Sequence, residues 1–239
     1  MFSTADAMRD VSFVTRSVPP SRKTLIVTGG VIDVDFGKKY IQDFWPDYVI
    51  AADRGLEFCA KAFWVPDCVV GDYDSVDPAA MDYFRGIEAI QWVDLIPEKD
   101  DTDTEAAVRL AIEKGSTSVS ILGATGSRID HVLGNIQLLY QLYQAGVEGY
   151  LVDACNRIRL VSGICVITKK EQFGKYVSVI PFEKSLSDVL LRGMKYPLNH
   201  GRISMGTTLG ISNEIVGEQA EISVGNDLAL VIESRDSES

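Results

Sequence analysis

Short continuous apolar runs alternate with amphipathic stretches over the first two thirds of the chain, and then give way to brief runs separated only by turns. Leu25, Ile26 and Val27 form the first run, which predicts a buried strand over residues 23–28, closed by a Gly29-Gly30 turn. The same reading predicts strands over 48–51 and 68–70, and helices over 36–45, 56–63 and 78–84. The last of these helices has Asp77 as its cap and Pro78 at the first helical position.

The clearest helix covers 102–114, with Ala106, Ala107, Leu110 and Ala111 on one side, a Thr102-x-x-Glu105 capping box in front and Gly115 behind. A strand over 119–122 runs into Gly123-Ala124-Thr125-Gly126-Ser127-Arg128-Ile129-Asp130-His131. The next helix carries Leu133, Ile136, Leu139 and Tyr140 at helical spacing, ends near Gly146 and precedes a strand over 149–152. Repeated units of this kind predict a mostly parallel α/β sheet flanked by helices.

Beyond Asn156 the pattern is β-rich, with runs over 158–161, 165–168, 176–180, 189–192, 203–205, 221–224 and 228–233 between Gly, Pro, Asn and Asp turns. An all-β sandwich domain is expected there, with Gly225-Asn226-Asp227 as the turn of its last hairpin. The expected division is a partly ordered extension over 1–22, an α/β domain over 23–154 and a β-sandwich domain over 155–239.

Composition narrows the function. The chain has 239 residues, 46% hydrophobic and 24% charged, enough for one large or two modest domains, and no apolar run long enough to cross a bilayer. Residues 1–23 mix Asp6 and Asp10 with Arg9 and Arg16, a pattern of neither a secretory signal nor an acid-poor transit peptide. A net charge of −11 argues against non-specific nucleic-acid binding but not against a small nucleotide that brings its own Mg²⁺. Cys59, Cys68, Cys155 and Cys165 form no C-x-x-C, and with only His131 and His200 there is no zinc-ligand spacing; buried thiols in a reducing cytoplasm are expected.

Two acidic groups stand out, Gly71-Asp72-Tyr73-Asp74-Ser75 and Glu98-Lys99-Asp100-Asp101-Thr102-Asp103, each just after an apolar segment that reads as a strand. Asp72 and Asp74 are two residues apart and project the same way from extended chain, so their charges repel unless a cation neutralises them, and hard oxygen ligands favour Mg²⁺. One such cluster alone reads more simply as turn and cap chemistry. Two, each following a strand, favour the metal. The Gly123–Arg128 segment reads either as a phosphate cradle, with backbone amides and the Arg128 fork, or as an ordinary tight turn. Asp130-His131 reads either as a cap or as reactive groups.

Taken together, Ala52-Asp53-Arg54-Gly55, the Gly71–Ser75 group, Asp100-Asp101-Thr102-Asp103, Gly126-Ser127-Arg128-Ile129-Asp130-His131 with Asn135, Gly193-Met194-Lys195-Tyr196-Pro197-Leu198 and Ile211-Ser212-Asn213-Glu214 resemble the thiamine pyrophosphokinase family. The resemblance covers nearly the whole chain after Lys23. It implies Mg²⁺-dependent transfer of pyrophosphate from ATP to the hydroxyl of thiamine, and a homodimer holding thiamine at the subunit interface. It implies Asp72, Asp74 and Asp100 as the Mg²⁺ and phosphate-organising carboxylates, with Asp53 and Asp103 close by and Asp100 as the first choice of base. Arg128 and Asp130 fall beside the transferring phosphates, Thr125, Gly126, Ser127 and His131 on the nucleotide, and Asn135 behind that loop. The resemblance also implies that Tyr196 offers a face to a thiamine ring and that Ser212 and Asn213 bond its polar edge. Arg54 and Ser127 depart from the pattern, standing where glycines are expected. The rival readings are a Mg²⁺-dependent nucleotide phosphohydrolase and a non-catalytic nucleotide or thiamine diphosphate sensor.

Overall fold

The structure, a computed structural model, describes residues 22–95 and 101–237, so Asp100 and nearly all of the expected extension lie outside the described residues. The first half alternates β1 (Lys23–Val27), α1 (Val34–Phe44), β2 (Tyr48–Ala52), α2 (Gly55–Ala62), β3 (Cys68–Gly71), α3 (Pro78–Arg85) and β4 (Gln91–Asp94). It continues with α4 (Asp103–Glu113), β5 (Ser118–Leu122), α5 (Ile129–Gln144) and β6 (Glu148–Val152). Short polar side chains start the helices as their residue types predict, by accepting hydrogen bonds from amides that the helix leaves unpaired. Asp33 accepts from Phe36 N, Asp77 from Ala79 N ahead of a first-turn proline, and Thr102 from Glu105 N.

The second half is β7 (Asn156–Val161), β8 (Ile164–Thr168), β9 (Tyr176–Pro181), β10 (Ser185–Arg192), β11 (Leu198–Ser204), β12 (Asn213–Glu214), β13 (Gln219–Ser223) and β14 (Ala229–Ser234). Ten strands form one sheet in the order β12-β9-β14-β7-β6-β5-β1-β2-β3-β4, and β11-β10-β13-β8 form a second. The strands from β6 to β4 in that order run parallel, whereas β7 joins β6 antiparallel through Leu151↔Ile158 and Val152↔Arg157. The expected α/β part and β-sandwich are therefore both present, sharing a sheet that runs unbroken from one into the other.

Two local expectations change. Gly225-Asn226-Asp227 does not turn a hairpin: β13 pairs with β10 and β8, while β14 pairs with β7 and β9, so the turn carries the chain from one sheet to the other. Both strands point small or branched side chains, Ala220 and Ile222 from one and Ala229 and Val231 from the other, into the same core, which sheet stacking satisfies and a flat hairpin does not. On α5 the buried stripe is Leu138, Leu139 and Leu142, and Leu133 is 57% exposed. Spacing identified the helix but not which of its apolar residues meet the sheet.

Each parallel strand serves two cores, as expected for a sheet covered on both faces. Ile26, Ile50 and Ile121 pack under α4 and α5 with Leu139 and Leu142, while Leu25, Val27 and Val49 pack under α1 to α3 with Leu56 and Phe84. A third core, with Val179, Leu186, Ile203 and Ile222, fills the sandwich. Between the helix cover and the sandwich, fully buried Glu233 of β14 accepts from Arg157 Nε and Nη2, each at 2.9 Å, and from Phe173 N at 2.9 Å. The Phe173 ring meets Phe36 of α1 edge-on, tying the sandwich to the helical layer.

Candidate functional site

After β1 the chain moves outward through β2, β3 and β4, then returns to the other side of β1 as β5. The order reverses beside β1, and in open α/β sheets the strand ends at such a point leave a crevice for ligands. A cavity of about 720 Å³ lies there. Its walls are Thr28, Gly29 and Gly30 after β1, Asp53 and Arg54 after β2, and the Gly123–Arg128 segment after β5. Glu57, Phe58 and Lys61 of α2, Ser75, Asp103 and Thr104, and His131 and Asn135 of α5 complete it. Two glycines let these turns close together: a Cβ on Gly30 would lie 2.0 Å from Gly123 O, and one on Gly55 would lie 1.9 Å from Val27 O.

The acidic corner is built by strand pairing. Ala52 of β2 pairs with Val70 of β3, so Asp53, just past β2 with φ +49°, meets Asp72 and Asp74 just past β3. One carboxylate oxygen from each of the three lies within 4.8 Å of the others. Ser75 Oγ donates to Asp53 Oδ2 at 2.7 Å, and Asp74 N donates to Asp72 Oδ1 at 3.2 Å. Asp53 Oδ1 is buried and has no hydrogen-bond partner. The charge of Asp72 holds the Asp74 carboxyl above the usual carboxylate range. A buried oxygen without a donor, facing two further carboxylates, suits a hard divalent cation such as Mg²⁺. Asp103, in the first turn of α4, lines the cavity beside this corner.

The loop after β5 is held from two sides. Asn135 Nδ2 donates to Ala124 O at 2.7 Å, and Thr125 Oγ1 donates to Asp153 Oδ2 at 2.7 Å, which anchors the loop just before Gly126 and Ser127. Arg128 pairs with Asp130 through Nε at 3.2 Å and also through Nη2, and this contact pulls the Asp130 carboxyl down to about 2. Asp130 is thus a carboxylate throughout the neutral range and a weak base. On the opposite wall Arg54 Nε donates to Glu57 Oε1 at 3.1 Å.

Tyr196, Ser212 and Asn213 come together elsewhere. Asn213, 3% exposed, accepts from Tyr196 N at 2.9 Å and donates to Tyr196 O at 2.7 Å, so its amide holds the tyrosine backbone while the Tyr196 residue stands 60% exposed. Ser212, with φ +53°, is exposed and its amide donates to Ser178 Oγ at 3.0 Å. None of the three lines the cavity. β12 lies six strands from β1 in the sheet order, which at about 4.8 Å per strand is roughly 30 Å within one chain.

Sequence reasoning missed Thr28, Glu57, Phe58, Lys61 and Thr104 as cavity residues. For α2 a signal existed: Arg54, Glu57, Phe58 and Lys61 sit at i, i+3, i+4 and i+7, one face of a helix.

A family model described as "Thiamin pyrophosphokinase, catalytic domain" matches residues 41–151, and "Thiamin pyrophosphokinase, vitamin B1 binding domain" matches 164–229. A thiamine pyrophosphokinase of Bacillus subtilis (strain 168) is 34% identical over 189 residues, covering 78% of this chain and 87% of that protein. Thiamine pyrophosphokinase 1 of Oryza sativa subsp. japonica is 25% identical over 209 residues, covering 84% and 77%. The crystal structure of a thiamine pyrophosphokinase from Bacillus subtilis superposes with a TM-score of 0.81 at 31% identity, covering 90% of this chain and 100% of that one. A thiamin pyrophosphokinase structure from Candida albicans, at 18% identity and TM-score 0.73 over 90% and 89%, shares the fold.

Proposed function

The chain belongs to the thiamin pyrophosphokinase family, and from that premise we infer how its residues carry the family's reaction, transfer of pyrophosphate from ATP to thiamine giving thiamine diphosphate and AMP. The thiamine hydroxyl oxygen forms a bond to the β-phosphorus, the bond between that phosphorus and the bridging oxygen of AMP breaks, and the hydroxyl proton passes to a carboxylate or solvent. Such a transfer needs positioning and charge neutralisation more than covalent catalysis.

The observation that carries the reading is Asp53 Oδ1, buried and unpartnered on a residue of the switch-point cavity wall, with Asp72 and Asp74 next to it though not themselves among the lining residues. Asp53, Asp72 and Asp74 would hold Mg²⁺, joined by Asp100. When bound, the ion supplies neutralisation of phosphate charge. The Thr125-Gly126-Ser127 loop, steadied by Asn135 and Asp153, offers its backbone to the phosphates of ATP, and Arg128, oriented by Asp130, reaches the transferring group. Asp103 and His131 complete that wall. We place catalysis in residues 23–154 and thiamine binding and dimerisation in 155–239. Tyr196 would stack on a thiamine ring, with the Ser212 hydroxyl beside it and Asn213 setting the tyrosine's position.

The roughly 30 Å of sheet between the cavity and β12, whose Asn213 holds Tyr196, favours a homodimer in which the thiamine face of one chain completes the ATP cavity of the other. Exposed apolar residues at both places, Ile129 and Leu133 beside the Arg128 loop and Leu209, Ile211 and Val216 around Tyr196, support that pairing. Among the described residues no helix is long and apolar enough to cross a membrane. All four cysteines are free thiols, which fits a cytoplasmic protein.

The decisive experiment incubates the purified protein with ATP, Mg²⁺ and thiamine and quantifies thiamine diphosphate and AMP. Equal amounts of both, only with thiamine present, are expected. Nucleotide breakdown without thiamine would replace transfer by hydrolysis. Mixing Asp53→Asn and Tyr196→Ala chains, each expected to be impaired alone, tests the shared site, because turnover above the sum of the two requires that each chain lend its intact half to the other.

A further inference from the structure

One face of α2 meets the cavity with residues whose arrangement the metal corner and the phosphate loop leave unused. Arg54, Glu57, Phe58 and Lys61 line the wall opposite the Gly123–Arg128 loop. Phe58 is buried and anchors the stripe against α1, where a Cβ on Gly37 would lie 2.5 Å from its ring. Arg54 directly follows the proposed metal ligand Asp53. Its side chain is 52% exposed, and Glu57, 19% exposed, takes only its Nε. Among the described residues Nη1 and Nη2 of Arg54 have no partner. Arg128 differs, because Asp130 occupies both its Nε and its Nη2.

Local physics does not account for Arg54. It stands at the start of α2 with helical backbone angles and no side-chain cap hydrogen bond, at the helix end whose partial positive charge repels a cation. A guanidinium there is braced on its inner nitrogen, open on its outer two, and turned to a cavity beside three carboxylates. Such a fork matches two oxygens of a phosphate, and the brace removes part of the ordering cost of binding one.

We propose that Arg54, held by Glu57, binds a phosphate of the nucleotide next to the Asp53 corner and thereby sets affinity for ATP rather than for thiamine. This rests on reading the cavity as the ATP site. It makes Arg54 a binding residue and Glu57 a positioning residue.

The test uses the full chain and the variants Arg54→Ser, Arg54→Lys and Glu57→Gln. It measures the Kd of Mg²⁺-ATP by titration without thiamine, KM for ATP and for thiamine, and the melting temperature. Loss of a charged, two-pronged contact predicts that Arg54→Ser raises Kd and KM for ATP by about tenfold or more, while KM for thiamine stays within about twofold. Arg54→Lys should lie between it and the wild type, and Glu57→Gln should weaken ATP by about threefold. Because a cation at a helix N-terminus is unfavourable, Arg54→Ser should melt no lower than the wild type. ATP binding by Arg54→Ser within about twofold of the wild type would overturn the proposal, as would equal weakening of ATP and thiamine together with a lower melting temperature. If the wild type binds ATP but makes no thiamine diphosphate, the transfer reading fails and the titration still decides the role of Arg54. A wild type that binds no ATP sinks both.

Discussion

Asp53, at the end of β2 in the parallel half, keeps one oxygen buried and without a donor, while Glu233, in the antiparallel half and wholly buried, has both oxygens filled by Arg157 and Phe173 N. The same contrast holds among neighbours. Asp72 and Asp74 face each other with like charge, whereas both ends of the Asn213 amide are partnered by backbone, of Tyr196 and Glu214. Burying a charged or polar group is costly unless partners replace water, so an incomplete partner set marks a place where a ligand supplies the rest. A complete set marks a group that holds other groups in place.

The largest effect expected from this contrast is on turnover. Asp53→Asn should lower the rate at least about a hundredfold, the range seen when one charge-stabilising contact is removed, and it should leave the melting temperature unchanged or raised because a repelling charge is gone. Single-turnover kinetics with thermal melts would check it, and a variant that lost stability instead would break the comparison. Arg157→Ala should do the reverse. Stranding buried Glu233 costs about 3–5 kcal/mol and lowers the melting temperature by roughly 10 °C, with the rate per folded molecule within about twofold of the wild type. Denaturant titration and active-site counting separate the two. Asn213→Ala should free the Tyr196 backbone and raise KM for thiamine by about tenfold without changing ATP affinity, since two part-buried hydrogen bonds to that backbone are lost.

The smallest effect is a titration. Asp74 has its carboxyl raised in the fold by Asp72, so its ionised form opposes folding; its favourable contribution is present below its unfolded value and is lost as pH rises through the raised folded value. Mg²⁺ requires the ionised form, so affinity for the ion should fall as pH drops through that raised value. Asp72→Asn should move the fall to lower pH, which Mg²⁺ titrations across pH would show. An unmoved profile would mean that Asp72 does not act on Asp74.

Where one residue with its near neighbours decides a feature, the chain was readable. Asp77 before Pro78 capped α3, Thr102 capped α4, and Gly115 ended it at φ +76°. Asp72 and Asp74 were picked out by their spacing and their place after β3, and Asn135 donates to Ala124 O in the loop after β5. Asp53 was placed near the other two aspartates through the family resemblance alone, because nothing local to Ala52-Asp53-Arg54-Gly55 states that β2 lies next to β3. The Gly225 turn shows the same limit from the other side: its residues specify a reversal but not whether the next strand joins the same sheet or the facing one.

What the sequence determined by itself was therefore the elements, their caps, the change from helix-linked to turn-linked strands and the residue types able to bind phosphate and Mg²⁺. These follow from backbone preferences and side-chain periodicity over a few residues. Only the tertiary structure decided that Asp53 meets Asp72 and Asp74, that α2 turns Arg54 and Glu57 to the cavity wall, and that β12, whose Asn213 holds Tyr196, stands six strands from β1. The physical reason is that strand order and helix facing are selected by burial of whole apolar faces, a quantity summed over the chain and carried by no single segment.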